Sequence, residues 1–506
     1  MDNQNSNPYA LWIAVTVVLL AVVEVLDITI VSVALKTMQG ALSTSPNDIT
    51  WTITVYGVSA AICMPLTGFL SKRFGRKKLL IISTVGFGLA SLLCGLSHSL
   101  FQIILFRGLQ GAAGALLPSL AQATLLDTFK GASRNKAMAF FGMGMMLGPI
   151  MGPLLGGYIT ENIGWRWIFF INLPLCVLGI MMARAFLTET LTEATKIDWL
   201  GLGLLAWAVG LLQLIVDKGN TLGWLSSPEI QWLIVIDGLG WLGFISWGIS
   251  CAYPIVNFKI FKDKNFTLAC LIMLIYYGVM LGSYAWTPLW LEIFMGYPAS
   301  LAGLMLAPRG LACLSVMMLT PLLLKYGDAR LWVMVASMLY GVGAYFLMHL
   351  NLQADEWNIM LPNIIQGFAT GFFFVPLTLM AYQSLPAQYL SEASGIYNFS
   401  RNLGGSLGVA LFSTVMSHMS QVSWHDMSLW IAPNHIAFQH WLQVQSFTVH
   451  TPEAYAQLGQ TLVSQSNMIA LNDGNMLFGL LALLLIPLVS LMDRAKTQGS
   501  FNILEA

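Results

Sequence analysis

Across 506 residues the chain is 57% hydrophobic and only 9% charged, with a mean hydropathy of +0.72 and a formal net charge of +0. So little charge cannot cover a soluble surface, which excludes a soluble globular protein and predicts an all-α polytopic membrane protein. The balanced charge gives no footprint for nucleic acid, and the six cysteines (Cys63, Cys94, Cys176, Cys251, Cys270, Cys313) read as small apolar residues, not as disulfides or a metal site.

A membrane-crossing helix needs about 20 apolar residues. Fourteen spans are expected on that rule: 11–35, 49–70, 79–97, 101–126, 137–159, 167–187, 198–217, 230–252, 266–288, 299–324, 331–350, 359–385, 395–419 and 475–493. The opening MDNQNSNPYA has neither a basic cluster nor a cleavage site, so the first run is expected to be a retained span. Trp12, Trp51, Trp165, Trp199, Trp224, Trp332 and Trp357 fall near span ends, where interfacial rings settle. With the N-terminus placed inside, seventeen of the 23 Lys and Arg residues lie in inner loops or the C-terminal tail, Lys196 and Lys496 among them. Three lie in outer loops and three (Arg107, Arg309, Arg401) within spans, an asymmetry that predicts both termini in the cytoplasm.

Span one carries Glu24 and Asp27, three residues apart and so on one helix face. Asp27 lies about 24 Å from the inner end at ~1.5 Å per residue. A carboxyl taken out of water takes up a proton readily and gives it back when water returns, which suits proton coupling; the structural alternative is a carboxylate pinned by an arginine. The loop after span two holds Gly68, Lys72, Arg73, Gly75, Arg76, Lys77 and Lys78: glycines for a tight turn and bases to cap helix ends, a latch as well as positive-inside anchoring. Span four carries Arg107 and Gln110, with Arg107 either acting on a nearby carboxyl or tying the span to backbone carbonyls.

In span five, Gly148-Pro149 and Gly152-Pro153 sit four residues apart and are followed by Gly156-Gly157. Glycines at that spacing make a smooth stripe for close packing, and the prolines predict a bend. Asp237 in span eight reads as structural, Arg309 in span ten as either structural or an attractor of anions, and Arg401 in span thirteen as a snorkelling base. Phe140, Phe141, Tyr276, Tyr277, Phe372, Phe373, Phe374 and Phe399 join Tyr56 and Tyr397 as aromatic candidates for a cargo cavity. Met143, Met145 and Met146 offer an adaptable lining. The segment 420–474 is one long outer loop without Lys or Arg. It holds His425, His435, His440 and His450 at irregular spacing, which reads as a solvated loop and not as a metal site, and Thr451-Pro452-Glu453 marks a helix start within it.

An internal repeat ties the halves together. Arg73-Phe74-Gly75-Arg76-Lys77-Lys78-Leu79 is echoed 252 residues later by Lys325-Tyr326-Gly327-Asp328-Ala329-Arg330-Leu331, and Gln110-Gly111 is echoed by Gln366-Gly367 at an offset of 256. The layout is 6+2+6: an N-terminal bundle over 1–190, two additional helices over 191–258, and a C-terminal bundle over 259–506. Such parallel repeats build rocking transporters with the site at their interface.

Taken in order, Leu26-Asp27-Ile28-Thr29-Ile30-Val31, the loop Gly68–Lys78, Arg107-x-x-Gln110-Gly111, the Gly-Pro repeat and Trp165-Arg166-Trp167-Ile168-Phe169-Phe170-Ile171-Asn172 resemble the major facilitator superfamily. Within it they resemble the fourteen-span drug:proton antiporters of EmrB/QacA type, and the EmrB-like exporters above all. Lys72 stands where the superfamily usually has an acid, and Ser32 and Lys36 stand where span one usually has Asn and Pro.

The resemblance implies the major facilitator fold, proton coupling through Asp27, Glu24 and Arg107, and an antiporter motif of Gly148, Pro149, Gly152, Pro153, Gly156 and Gly157. It further implies a cytoplasmic gate of Gly68, Arg73, Gly75 and Arg76. Tyr56, Gln110, Arg309, Tyr397 and Asn398 are the expected cargo residues. The expected function is proton-driven export of hydrophobic or amphipathic drugs across a bacterial inner membrane, with a dedicated exporter of a siderophore or fatty acid as the alternative. An uptake symporter is disfavoured by the Gly-Pro motif. No cofactor or metal is expected, since neither a nucleotide-binding GxxxxGK[ST] motif nor an enzyme-like cluster of His, Asp or Glu occurs. The expected partners are the small-molecule cargo, protons, lipid, and a periplasmic adaptor with its outer-membrane channel.

Overall fold

A computed structural model describes residues 9–190, 192, 198–251, 254–431, 436–444 and 452–494. Lys196, Lys496, His435, His450 and the side chain of Pro153 lie outside the described residues.

The expected spans all fall on helices: α1 (Ala10–Ala41), α2 (Trp51–Phe74), α3 (Arg76–Gly95), α4 (Leu100–Thr128), α5 (Ala132–Asn162), α6 (Trp167–Phe186), α7 (Trp199–Leu222), α8 (Pro228–Ser250), α9 (Lys264–Ile293), α10 (Ala299–Tyr326), α11 (Ala329–Leu347), α12 (Glu356–Tyr382), α13 (Leu390–Ser428) and α14 (Pro452–Leu483, continued by Leu485–Ser490). Thirteen of them are long and apolar enough to cross a membrane by length and composition. The exception, α13, is the most polar of the set because it carries Glu392, Asn398 and Arg401 into the bundle interior, where all three are buried. Outward-facing leucines, isoleucines and aromatics such as Phe101, Leu109, Leu239 and Leu311 are exposed, as a lipid-bathed surface requires.

Local chemistry sets the helix ends. Ser99, Asp198 and Asp263 accept from the backbone N–H three residues on and so cap α4, α7 and α9. Gly75, at φ +80°, makes the α2–α3 turn. Its repeat partner Gly327 lies at φ −142°, and there Arg330 folds back on Asp328 at 2.9 Å. The second copy of the loop therefore keeps the letters of the first without its backbone.

The glycine stripe of α5 packs on α1. A Cβ at Gly148 would lie 2.9 Å from Val25 Cβ, one at Gly156 would lie 3.0 Å from the Ile30 carbonyl, and Gly152 sits against Thr29. Thr29 Oγ1 donates to the Gly148 carbonyl at 3.0 Å, and Gly157 faces open space. With two prolines inside it, α5 is nevertheless one continuous helix. The C-terminal half repeats the arrangement: Gly404 and Gly408, 252 residues after Gly152 and Gly156, pack on the backbone of Leu274 and Gly278 in α9. Small residues thus bring the first and fifth helices of each half into backbone contact.

The additional helix α7 lies along the seam between α2 and α13. Gln213 donates to Ser406 at 3.0 Å, Asn220 to Ser417 at 3.2 Å and Trp224 to Thr414 at 2.8 Å, while Lys218 sits 4.6 Å over the Trp51 ring of α2.

Two expectations are corrected here. Much of the segment 420–474 is helical beyond the one helix start expected in it: α14 begins at Pro452 as that signal predicts, but α13 and α14 both run far past the hydrocarbon thickness of about 30 Å and carry a short helix, Ile436–Val444, between them. Phe438, Leu442 and Ala454 form a small core of their own there. Trp165, expected at an interface, is buried edge-on against Phe169 with Arg166 over its ring.

Candidate functional site

Three helices of the N-terminal half converge on Asp27. Gly111 has no side chain, and a Cβ there would lie 3.0 Å from Tyr56 Cα, so α4 approaches α2 closely enough to bring Arg107 inward. Arg107 Nη1 donates to Asp27 Oδ2 at 2.5 Å and to Gln110 Oε1 at 2.8 Å. Its Nε donates to the Thr52 carbonyl at 3.2 Å, and its guanidinium lies 4.1 Å from the Tyr56 ring centroid. Gln110 Nε2 and Asn172 Nδ2 both donate to Asp27 Oδ1, at 2.9 and 2.8 Å. Asn172 is held in turn by Ser91, whose hydroxyl donates to the Phe169 carbonyl.

Asp27 is 0% exposed and Arg107 1%. Two charges so far from water persist only when paired and hydrogen-bonded, and here every oxygen of the carboxylate has a donor. Arg107 therefore touches both a carboxyl, that of Asp27, and a backbone carbonyl, that of Thr52. The sequence singled out Asn172 only as part of a motif; its role as a carboxylate donor was not foreseen.

Glu24, one turn earlier on α1, is equally buried, yet among the described residues it has no ion pair. The main opposite charge acting on it is Arg401 of the other half.

Between the halves lies a small cavity of about 20 Å³, room for one water. Its lining joins Gln122 of α4 and Met138, Phe141, Met145 and Met146 of α5 to Met273 of α9, Phe374 and Thr378 of α12, and Tyr397 and Arg401 of α13. Of the expected cargo residues, Tyr397 lines it. Asn398 stands beside it and donates to Gln122 Oε1 at 2.8 Å. Tyr56 and Gln110 belong to the Asp27 cluster, and Arg309 lies apart, buried 5.0 Å from the Tyr284 ring centroid with both terminal nitrogens unpartnered. Arg401, read from sequence as a snorkelling base, is corrected: α13 begins at Leu390, five residues before the expected span, which carries Arg401 inward to the cavity wall.

At the end bearing the basic loop, the halves are latched. Lys72 pairs with Glu392 at the start of α13, and Gly68 lies directly against that residue. Arg76 donates from Nε to Ser391 at 2.9 Å and pairs with Asp127 at 2.7 Å. Lys72, the departure from the usual acid, thus meets a complementary acid across the interface. Arg73 stacks beside Phe74. Among the described residues no cluster of three or more His, Cys, Asp or Glu could hold a metal ion.

Two helical halves meeting around an interfacial cavity, with a buried carboxylate–arginine pair inside the first of them, define a multi-pass membrane transporter. The chain belongs to the major facilitator superfamily, whose family model matches residues 17–409. It is 36% identical over 485 residues to the multidrug export protein EmrB of Escherichia coli K12, covering 94% of this chain and 93% of the relative. It is 32% identical over 496 residues to the fatty acid resistance protein FarB of Neisseria gonorrhoeae, covering 94% and 95%. Among solved structures, the proton:xylose symporter XylE superposes with a TM-score of 0.63 at 15% identity, covering 97% of this chain and 98% of that one, which shows the shared fold.

Proposed function

We propose that this protein is a proton-coupled antiporter that exports hydrophobic or amphipathic drugs by alternating access. The observation that carries the reading is the Asp27 cluster: one fully buried carboxylate, neutralised by one arginine, inside the N-terminal half of a chain whose two halves share a cavity. A proton taken up by Asp27 removes the charge opposite Arg107 and leaves a buried cation without its counter-ion, at a cost of several kcal/mol. The halves relieve that cost by rearranging, so the proton favours one access state and cargo the other, each by its difference in affinity for the two. Glu24, Arg107 and Asp27 form the coupling set. Gly148, Gly152 and Gly156 let α5 move against α1, with Pro149, Pro153 and Gly157 completing the motif, and Gly68, Arg73, Gly75 and Arg76 serve the latch with Lys72.

The moving units are residues 1–190 and 259–506, with 191–258 riding along their seam. The seventeen inner basic residues support a cytoplasmic location for both termini, and the likeness to bacterial export proteins supports a bacterial inner membrane. The helical projection of α13 and α14 then points into the periplasm, where it receives an adaptor leading to an outer-membrane channel. The proton gradient is the energy source, with no cofactor. A dedicated exporter of a fatty acid is the second reading, favoured by the likeness to a fatty acid resistance protein.

The test is uptake of a fluorescent hydrophobic drug into inverted membrane vesicles. The reading expects drug accumulation under an acid-inside gradient and its collapse on adding a protonophore. Accumulation indifferent to the gradient would sink it.

A further inference from the structure

The central cavity presents hydrogen-bond donors and no free amide acceptor to its cargo. Gln122 lines the cavity, but its Oε1 already accepts from Asn398 Nδ2 at 2.8 Å and from the Tyr382 hydroxyl at 3.2 Å. These two donors fix the orientation of the amide and leave its N–H groups for the cavity. Thr378 and Tyr397, the hydroxyls on the wall, are hydrogen-bonded to each other at 3.2 Å. The one ionic group on the wall is the Arg401 guanidinium, 9% exposed and without an ion pair among the described residues. The Tyr277 ring lies beside it, 5.7 Å away. The carboxylate that acts on it across the interface, Glu24, is not part of the wall. The remainder of the lining is apolar and pliable, with four methionines.

We infer that this cavity, which holds one water as it stands and must widen as the halves part, selects amphipathic anions, with Arg401 and Gln122 as the specificity-determining pair that holds the acidic head while the methionines take the apolar body. This rests on the export reading and adds the charge of the cargo to it. A guanidinium is permanently charged and matches a carboxylate or sulfonate with two parallel donors. In a water-poor cavity such a bond to a charged group is worth enough to separate an anion from its cationic isostere by about tenfold to a hundredfold. A cation of the same shape meets a like charge at Arg401, which outweighs what the two hydroxyls and the aromatic rings of the wall offer it.

Binding of radiolabelled decanesulfonate and decyltrimethylammonium, which share a chain and differ in head charge, to the full-length protein in nanodiscs tests this. The wild type is expected to prefer the sulfonate at least tenfold. Arg401→Gln should erase the preference by weakening the sulfonate alone, and Arg401→Lys should restore part of it. Gln122→Glu, which puts an acceptor in place of the donors, should weaken the sulfonate and strengthen the ammonium, and it decides the matter if Arg401→Gln does not fold. Equal binding of the two probes by the wild type, preference for the cation, or equal losses for both probes in folded variants would each overturn the inference. Proton movement separates the two readings. Drug-driven proton exchange without an anion preference removes this inference and keeps export, whereas sulfonate selectivity without proton exchange does the reverse.

Discussion

Arg107 on α4 and Asp27 on α1 meet at 2.5 Å with neither reaching solvent, and Gln110 and Asn172 occupy the remaining carboxylate oxygen. Removing one partner of such a pair leaves the other buried and uncompensated. Asp27→Leu should therefore destabilise the N-terminal half by roughly 3–5 kcal/mol, whereas Asp27→Leu combined with Arg107→Leu should recover a large part of that loss. Chemical denaturation of both variants in nanodiscs measures it, and a double variant no more stable than the single one contradicts the pairing.

The Lys72–Glu392 contact joins the two halves through a charged hydrogen bond, with Lys72 also 5.7 Å over the Tyr389 ring and Gly68 giving Glu392 a surface to lie on. Lys72→Glu places two acids face to face and should slow transport several-fold, in line with the cost of like charges in contact. The exchanged pair, Lys72→Glu with Glu392→Lys, should regain most of the rate. Rates from vesicle uptake give the answer, and failure of the exchange to rescue would show that Lys72 acts elsewhere.

Gly408 and Gly157 make opposite predictions from one residue type. A Cβ at Gly408 would run into the Gly278 backbone, which cannot rotate away, so Gly408→Ala should cost about 1–3 kcal/mol or more through helix displacement. Gly157 faces open space, and Gly157→Ala should be neutral or slightly stabilising through helix propensity. Thermal unfolding of the two variants side by side measures the contrast.

Periodicity and charge asymmetry made the helices legible, because a membrane span is a long apolar run whatever its neighbours do. α13 was placed correctly despite its polar residues, but its start was set five residues late, and that error hid Arg401 in plain view. Asp27 and Arg107 were legible because isolated charges in apolar runs stand out. A carboxyl–arginine pairing was among the readings, but that these two residues form it was not legible, since it depends on Gly111 letting two helices touch. Glu392 and Gln122 went unnoticed for the same reason: each gains its role from a partner about 280 to 320 residues away, across the interface. The third echo of the repeat, Gly152 and Gly156 against Gly404 and Gly408, was within reach at the offset of 252 already in hand.

The central claim is that Asp27 exchanges its proton as cargo binds. The direct measurement is proton release from purified protein in weakly buffered solution, followed with a pH-indicator dye on adding a saturating drug, for the wild type and Asp27→Asn. The account predicts release from the wild type and none from Asp27→Asn, with the drug still bound by both. Undiminished release from Asp27→Asn, or a wild type that binds the drug and releases nothing, would contradict it.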